Sequence, residues 1–200
     1  YTLFGYYTDA ECTNEFVWPC TVTTEDITIF VKFIKGNWNI VDSEDALTKA
    51  LAKGGNIYLT KDLDFSSTAW VYGDYNAEFN GNGHKISGIS LKRVCDKRNF
   101  GAGIFGELGS GAYIHDLVIE NATVEFKVAL PSGEFKAGFF AYSAREGARI
   151  SNVTASGTLY YDYGSNKIQS VYEWIAEDSS TTENCDYSGV KTEEKKISNN

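Results

Sequence analysis

The spacing of apolar residues divides the chain into three stretches. In residues 1–35, short alternating segments are separated by turn formers such as Thr8-Asp9 and Thr13-Asn14, and Ile27-Thr28-Ile29-Phe30-Val31-Lys32-Phe33 predicts a strand. Gly36-Asn37 marks a boundary. Beyond it Ala46, Leu47, Ala50 and Leu51 recur at the spacing of one helix face. Asp42 or Ser43 supplies an N-cap, Glu44 and Asp45 put negative charge in the first turn, and Lys53 with Gly54 ends it. These signals predict one helix over about 43–53. A lone amphipathic helix ahead of a run of strands suits a cap, because an open solenoid end exposes core and strand edges.

From residue 56 the chain repeats itself. Ala102-Gly103-Ile104-Phe105-Gly106 returns 35 positions later as Ala137-Gly138-Phe139-Phe140-Ala141. Ile114-His115-Asp116-Leu117-Val118-Ile119 returns 36 positions later as Ile150-Ser151-Asn152-Val153-Thr154-Ala155, and more weakly as Thr182 to Tyr187. Periods of this length mean stacked coils. Placing Ile86-Ser87-Gly88-Ile89-Ser90-Leu91 in the same frame gives three apolar columns. These are Ile86, Ile114, Ile150; Ile89, Leu117, Val153, Cys185; and Leu91, Ile119, Ala155, Tyr187. The last two columns lie two residues apart and so share a strand face. Between the first and second runs a small or polar column, Gly88, Asp116, Asn152 and Asn184, is expected at a bend, where side-chain amides bond neighbouring coils. This frame makes Cys185 a buried thiol, points His115 to solvent, and leaves 92–100 and 127–136 as surface loops.

Composition agrees with a β-rich fold. Aromatic residues reach 14 %, and 19 Gly stand against 2 Pro. A net charge of −9 excludes a basic nucleic-acid footprint and disfavours anionic membrane surfaces. No apolar run is long enough to span a bilayer, so no membrane insertion is expected of this stretch. The chain has no Met and opens inside a repeat-like stretch, so it is expected to be a portion of a larger protein. Its four Cys include no metal-spaced pair, and neither a metal nor a cofactor is expected. Cys12 and Cys20 share the N-terminal module and stand either bridged or as two thiols.

Two resemblances add to this. Gly5-Tyr6-Tyr7-Thr8-Asp9-Ala10-Glu11-Cys12-Thr13 and Val22-Thr23-Thr24-Glu25-Asp26-Ile27-Thr28-Ile29-Phe30-Val31-Lys32-Phe33 resemble the C-terminal half of a Listeria–Bacteroides (internalin B-type) repeat, with Tyr6 and Phe33 where that family has Trp. The resemblance implies a truncated β-grasp-like module, which cannot bury its own face and must lean on the next domain. Residues from Trp38 to about Val190 resemble the pectin-lyase-like right-handed β-helix of bacterial surface proteins with GLUG-type repeats. The match is carried by Ile57-Tyr58-Leu59-Thr60-Lys61-Asp62-Leu63-Asp64, by Phe79-Asn80-Gly81-Asn82-Gly83-His84-Lys85-Ile86, by Gly103-Ile104-Phe105-Gly106 and by Ile150-Ser151-Asn152-Val153. Val171-Tyr172-Glu173-Trp174 departs from its pattern at the last coil.

The expected architecture is therefore all-β, a short right-handed parallel β-helix over 36–190 with one N-terminal capping helix, after a partial β-grasp-like repeat over 1–35 and before a frayed polar tail, 191–200. Catalytic chemistry finds little support. Asp62 and Asp64 share a strand face without a second acidic pair, and His84 sits in a turn. No nucleophile or phosphate motif is present. Binding has weak candidates. Tyr160, Tyr161 and Tyr163 offer aromatic area for sugar rings, and Arg93 and Arg98 lie in the one basic cluster, Lys92–Arg98. The sequence points to a non-catalytic, extracellular module of a secreted or surface-anchored protein, acting as adhesive surface or spacer toward glycans or cell-surface proteins. A carbohydrate-active β-helix domain, binding or lyase-like, is the alternative.

Overall fold

The computed structural model describes residues 1–18, 26–95, 101–130, 134–164 and 169–198. Thr2–Tyr7 (β1) and Phe30–Ile34 (β2) form an antiparallel hairpin. The opening coil then holds Trp38–Val41 (β3), the helix Glu44–Lys53 (α1), Asn56–Leu59 (β4) and Leu63–Asp64 (β5). The first full turn runs through Glu78–Asn80 (β6), Lys85–Ser87 (β7), Ser90–Cys95 (β8), Gly101–Ala102 (β9) and Phe105–Leu108 (β10). The second has Tyr113–Val128 (β11), Phe135–Gly138 (β12) and Ala141–Ala144 (β13). The third has Arg149–Asp162 (β14), Gln169–Tyr172 (β15) and Ile175–Asp178 (β16). Thr181–Glu183 (β17) and Asp186–Glu194 (β18) close the chain. All ladders from β3 onward are parallel, and the result is a β-solenoid of about three turns with one helix.

Three sheets make the walls. One carries the long strands, β3, β4, β6, β11, β14 and β17, with β5, β7, β8 and β18 continuing it past a bend; the others are β9–β12–β15 and β10–β13–β16. The helix forms for the reasons legible in its sequence. Ser43 caps it by accepting from the Ala46 N–H at 3.4 Å, Gly54 ends it at φ 78°, and Leu47 and Ala50 are buried at the solenoid's end.

Inside, like sits on like. Ile57, Phe79, Ile114 and Ile150 form one column, Leu63, Ile86, Ile119 and Ala155 a second, and Leu91, Val124 and Leu159 a third. Thus the 36-residue register between the second and third turns holds, but the earlier frame is corrected. Ile86 pairs with Ile119 rather than Ile114, Leu91 pairs with Val124 rather than Ile119, and Phe79 fills the first column. The cause is the turn at 81–84. Seven positions separate Phe79 from Ile86, whereas five separate Ile114 from Ile119. Gly88 accordingly leaves the expected polar column and sits in the next bend, where its N–H donates to the Glu120 carbonyl at 3.1 Å.

An aromatic spine runs alongside these columns. Phe65, Trp70, Phe105 and Phe140 meet edge to face at 5.2, 6.1 and 5.3 Å, and Phe140, Trp174 and Tyr187 then stack at 4.2 and 5.0 Å. Trp174, which departs from the resembling family's pattern, therefore completes the last full turn. Gly138 sits at the corner ahead of it because a Cβ there would lie 2.3 Å from the Ala141 carbonyl oxygen and 2.6 Å from the Ala176 nitrogen. Cys185 is half-buried rather than buried, and its thiol donates to the Glu183 carbonyl at 3.4 Å.

The chain's end departs most from expectation. Residues 191–194 belong to β18, and the segment after it crosses the outer face of the long sheet instead of fraying. The Lys195 N–H donates to the Tyr161 carbonyl at 2.9 Å, and the Ile197 N–H to Asp162 Oδ2 at 2.8 Å. Lys127 Nζ donates to the Ile197 carbonyl, and Lys92 Nζ to Ser198 Oγ at 3.2 Å. Ile197 is buried. This clasp joins β18, β14, β11 and β8. Burial alone works against ionising Asp162, yet the Ile197 and Gly164 N–H groups and the Lys127 charge hold its carboxyl below the usual range.

Asp162→Ala is expected to release the clasp and lower stability by about 2 kcal/mol, the scale of a charge-assisted hydrogen bond with its partners left unpaired. For a chain of this size that is about 4–8 °C in melting temperature. An unchanged melt would show that the tail contributes nothing to the fold. Gly138→Ala should cost at least as much, through the corner clash, and circular dichroism melts read both.

Candidate functional site

The tyrosines singled out in the sequence do not form one face. Tyr161 and Tyr163 approach at 4.8 Å, and Tyr163 meets the buried Phe126 edge-on at 6.5 Å. Burial pushes the Tyr163 hydroxyl up to about 12. Tyr160 lies on the opposite, outward face, where Lys195 Nζ of the clasp sits 4.4 Å over its ring. Arg93 is not in a loop. It belongs to β8, in register with Phe126 and between the inward Leu91 and Cys95, and its guanidinium lies 3.9 Å over the Tyr72 ring. The predicted loops shrink for the same reason, because β8 runs to Cys95 and β11 to Val128. Arg98 lies outside the described residues, as does Cys20; Cys12 is a free thiol 3.8 Å from the Ala10 carbonyl.

A different cluster assembles on the outer face of β6, β11 and β14. His115 is directed outward, as alternation requires, but it is only 8 % exposed and not solvated as expected. Tyr113 stacks on it at 4.3 Å, and the Arg149 guanidinium lies over Tyr113 at 4.1 Å, so the imidazole is covered from one side. Both imidazole nitrogens meet carboxylates, Nδ1 with Asp116 Oδ2 at 2.8 Å and Nε2 with Glu78 Oε1 at 3.2 Å. Asp116 also anchors the bend. Asp116, Asn152 and Asn184 all adopt left-handed φ of 51–52°, which Asn and Asp tolerate best among residues with a Cβ. Asn152 Nδ2 donates to Asp116 Oδ1 at 2.8 Å and Asn184 Nδ2 to Asn152 Oδ1 at 3.4 Å. The polar column expected at the bend thus holds for these three residues.

The cluster's chemistry is constrained by this pairing. The His115 bond, then the Asn152 bond, holds the Asp116 carboxyl below its ordinary value. Neither imidazole nitrogen is open to a substrate. A shallow depression of about 80 Å³ beside it is lined by Tyr113, Arg149, Ser151 and Glu183. Elsewhere His84 Nδ1 pairs with Asp62 Oδ1 at 3.1 Å, and the Lys85 N–H, the larger influence, together with His84 keeps that carboxyl low. Asp64 caps the short 3₁₀ turn Phe65–Ser67 by accepting from the Ser66 N–H. Both acids of the Asp-Leu-Asp pair thus have structural partners. Among the described residues no group of three or more His, Cys, Asp or Glu has the geometry to hold a metal ion.

No family model and no solved structure matches this chain. It is similar to halomucin of Haloquadratum walsbyi, 39 % identical over 85 residues, which make up 42 % of this chain and 1 % of halomucin. The chain thus spans a very small share of that relative's length. No helix among the described residues is long and apolar enough to cross a membrane.

Acid should loosen the His115 cluster. Because the folded Asp116 protonates below its unfolded value of about 3.8, the unfolded chain binds more protons between the two values, and stability rises with pH there. The contribution is present above the unfolded value and is lost as pH falls through the folded one. Asp116→Asn keeps the left-handed bend and should make the melting temperature less sensitive to acid in that window. A variant whose acid sensitivity matches the parent's would exclude the pair from the pH response.

Proposed function

We propose that this chain is a rigid, non-catalytic spacer module of a secreted or cell-surface protein, presenting its outer faces for adhesion to glycans or cell-surface proteins. The observation that carries this is the unbroken stacking of interior columns from Ile57 to Ile150, reinforced outside by the clasp across four strands. Parallel coils bonded in series transmit load along the solenoid axis and leave broad flat faces for weak, repeated contacts. The likeness to a segment that is 1 % of halomucin suits a module small beside the protein it serves. GLUG-type and Listeria–Bacteroides-type ancestry are part of the same proposal.

A carbohydrate-active alternative has one observation behind it, the convergence of His115 with Glu78 and Asp116 within hydrogen-bond reach. The burial of the ring under Tyr113 and the use of both nitrogens weigh against it. The two separate in one experiment, in which acidic polysaccharides are incubated with the protein and reducing ends and unsaturated products are measured. No product is expected, alongside uniformly slow amide exchange along β11 and β14. Product that disappears in His115→Gln would replace the spacer with a lyase-like enzyme.

A further inference from the structure

The repeating faces of the solenoid are largely self-paired, and a sizeable unfilled space lies where the repeat is broken. Between the N-terminal hairpin and the opening coil is a cleft of about 540 Å³, within the range of about 300–1,000 Å³ typical of small-molecule sites. We infer that this cleft is a binding site for a neutral saccharide. The inference is separate from the spacer role and stands or falls independently of it.

One wall is aromatic. The inward side of β1 presents Phe4 and Tyr7, and Phe4 meets Tyr58 of β4 edge to face at 5.2 Å. Tyr58 is fixed in turn, donating from its hydroxyl to Asn82 Oδ1 at 2.9 Å and packing edge-on against Trp38 at 5.8 Å. Lys32 Nζ lies 4.8 Å over the Phe4 ring and 6.0 Å over the Tyr7 ring, so this wall sets an ammonium donor on an aromatic stack that is held in place before any ligand arrives. The facing rim is polar. Asp42, Thr60 and Lys61 project from the solenoid, and Glu15 from the hairpin's turn. That turn is pinned by Asp9, which accepts from the Thr13 and Asn14 N–H groups at 3.0 and 2.6 Å.

The charges decide the ligand class. Among the lining residues the acids Glu15 and Asp42 are matched by Lys32 and Lys61, although the chain as a whole carries −9. A cleft lined in this way carries no excess of either charge on its own walls, and it offers donors and acceptors in close alternation. Paired hydroxyls on a ring satisfy both kinds at once. The mixed lining also argues against a docking groove for an apolar segment, which would need a continuous apolar floor.

The test titrates the whole chain with cellohexaose, maltohexaose, xylohexaose and mannohexaose, with polygalacturonate as the acidic comparison, read by calorimetry and by NMR of aromatic ring protons. At least one neutral oligosaccharide should bind saturably and shift the Tyr58 and Phe4 ring signals. Asp42→Ala and Lys61→Ala change exposed side chains, so they should melt as the parent does, and each should weaken binding about five- to tenfold. Tyr58→Phe, which loses only the Asn82 bond, should retain binding. Absence of binding by all four neutral sugars would overturn the inference. So would affinity unchanged in both Asp42→Ala and Lys61→Ala, or a preference for polygalacturonate.

Discussion

No single coil of this molecule has a core. A coil is one residue thick along the solenoid axis, so an inward side chain finds its neighbours about 4.8 Å above and below it, in the coils stacked on either side. That spacing forces columns of matching size and polarity, and most of the structure follows from it. Ile57, Phe79, Ile114 and Ile150 can stand in one column because each fills the same slot in its own coil. Where the strand bends, polar residues stack as well. There Asp116, Asn152 and Asn184 turn the chain through left-handed φ and spend their side chains on one another, so one residue type both makes the bend and ties it to the next coil.

The first and last coils of this chain are covered differently. At the N-terminal end, the helix buries Leu47 and Ala50 over the opening coil, and the hairpin leans on Tyr58 through Phe4. In the last coil, the column partners of Ile150 and Val153 become Thr182 and Cys185, which are largely and partly exposed. Flat aromatic stacking takes over there. Phe140, Trp174 and Tyr187 lie within 18° of parallel, whereas the spine nearer the helix meets edge to face. Stacked rings conserve the spacing between coils after the aliphatic columns have thinned out.

Local and periodic features were legible in the sequence. The helix announced itself through its cap and face, and the 36-residue repeat fixed the pairing of β11 with β14. The frame failed at 81–84 because an inserted turn changes register without changing the apolar pattern on either side of it. Alternation gave the direction of His115 correctly but not its cover, since Tyr113 and Arg149 close over it from neighbouring positions on the same face. Arg93 carried a usable signal. It has the parity of Leu91 and Cys95, and only its charge suggested a loop. The clasp had no such signal, because its main contacts are the backbone N–H and carbonyl of Ile197, which composition does not encode. The cleft joins residues from the hairpin, the opening coil and the inserted turn, which no single period along the chain brings together.

The same periodicity bears on where recognition can occur. On the flat faces, charges one coil apart find each other: Lys85 with Glu120, Arg145 with Glu107 and Lys136 with Glu177, at 2.7–3.2 Å. Exposed pairs of this kind add about 0–1 kcal/mol each to stability, but they occupy the groups that would otherwise meet a ligand. Tyr160 is taken by Lys195 in the same manner. A face built by stacking equivalent positions thus tends to satisfy itself. Space for a ligand opens where stacking is interrupted, and in this chain one such place is the junction of Phe4, Tyr58, Asp42 and Lys61, where a non-repeating hairpin meets the first coil.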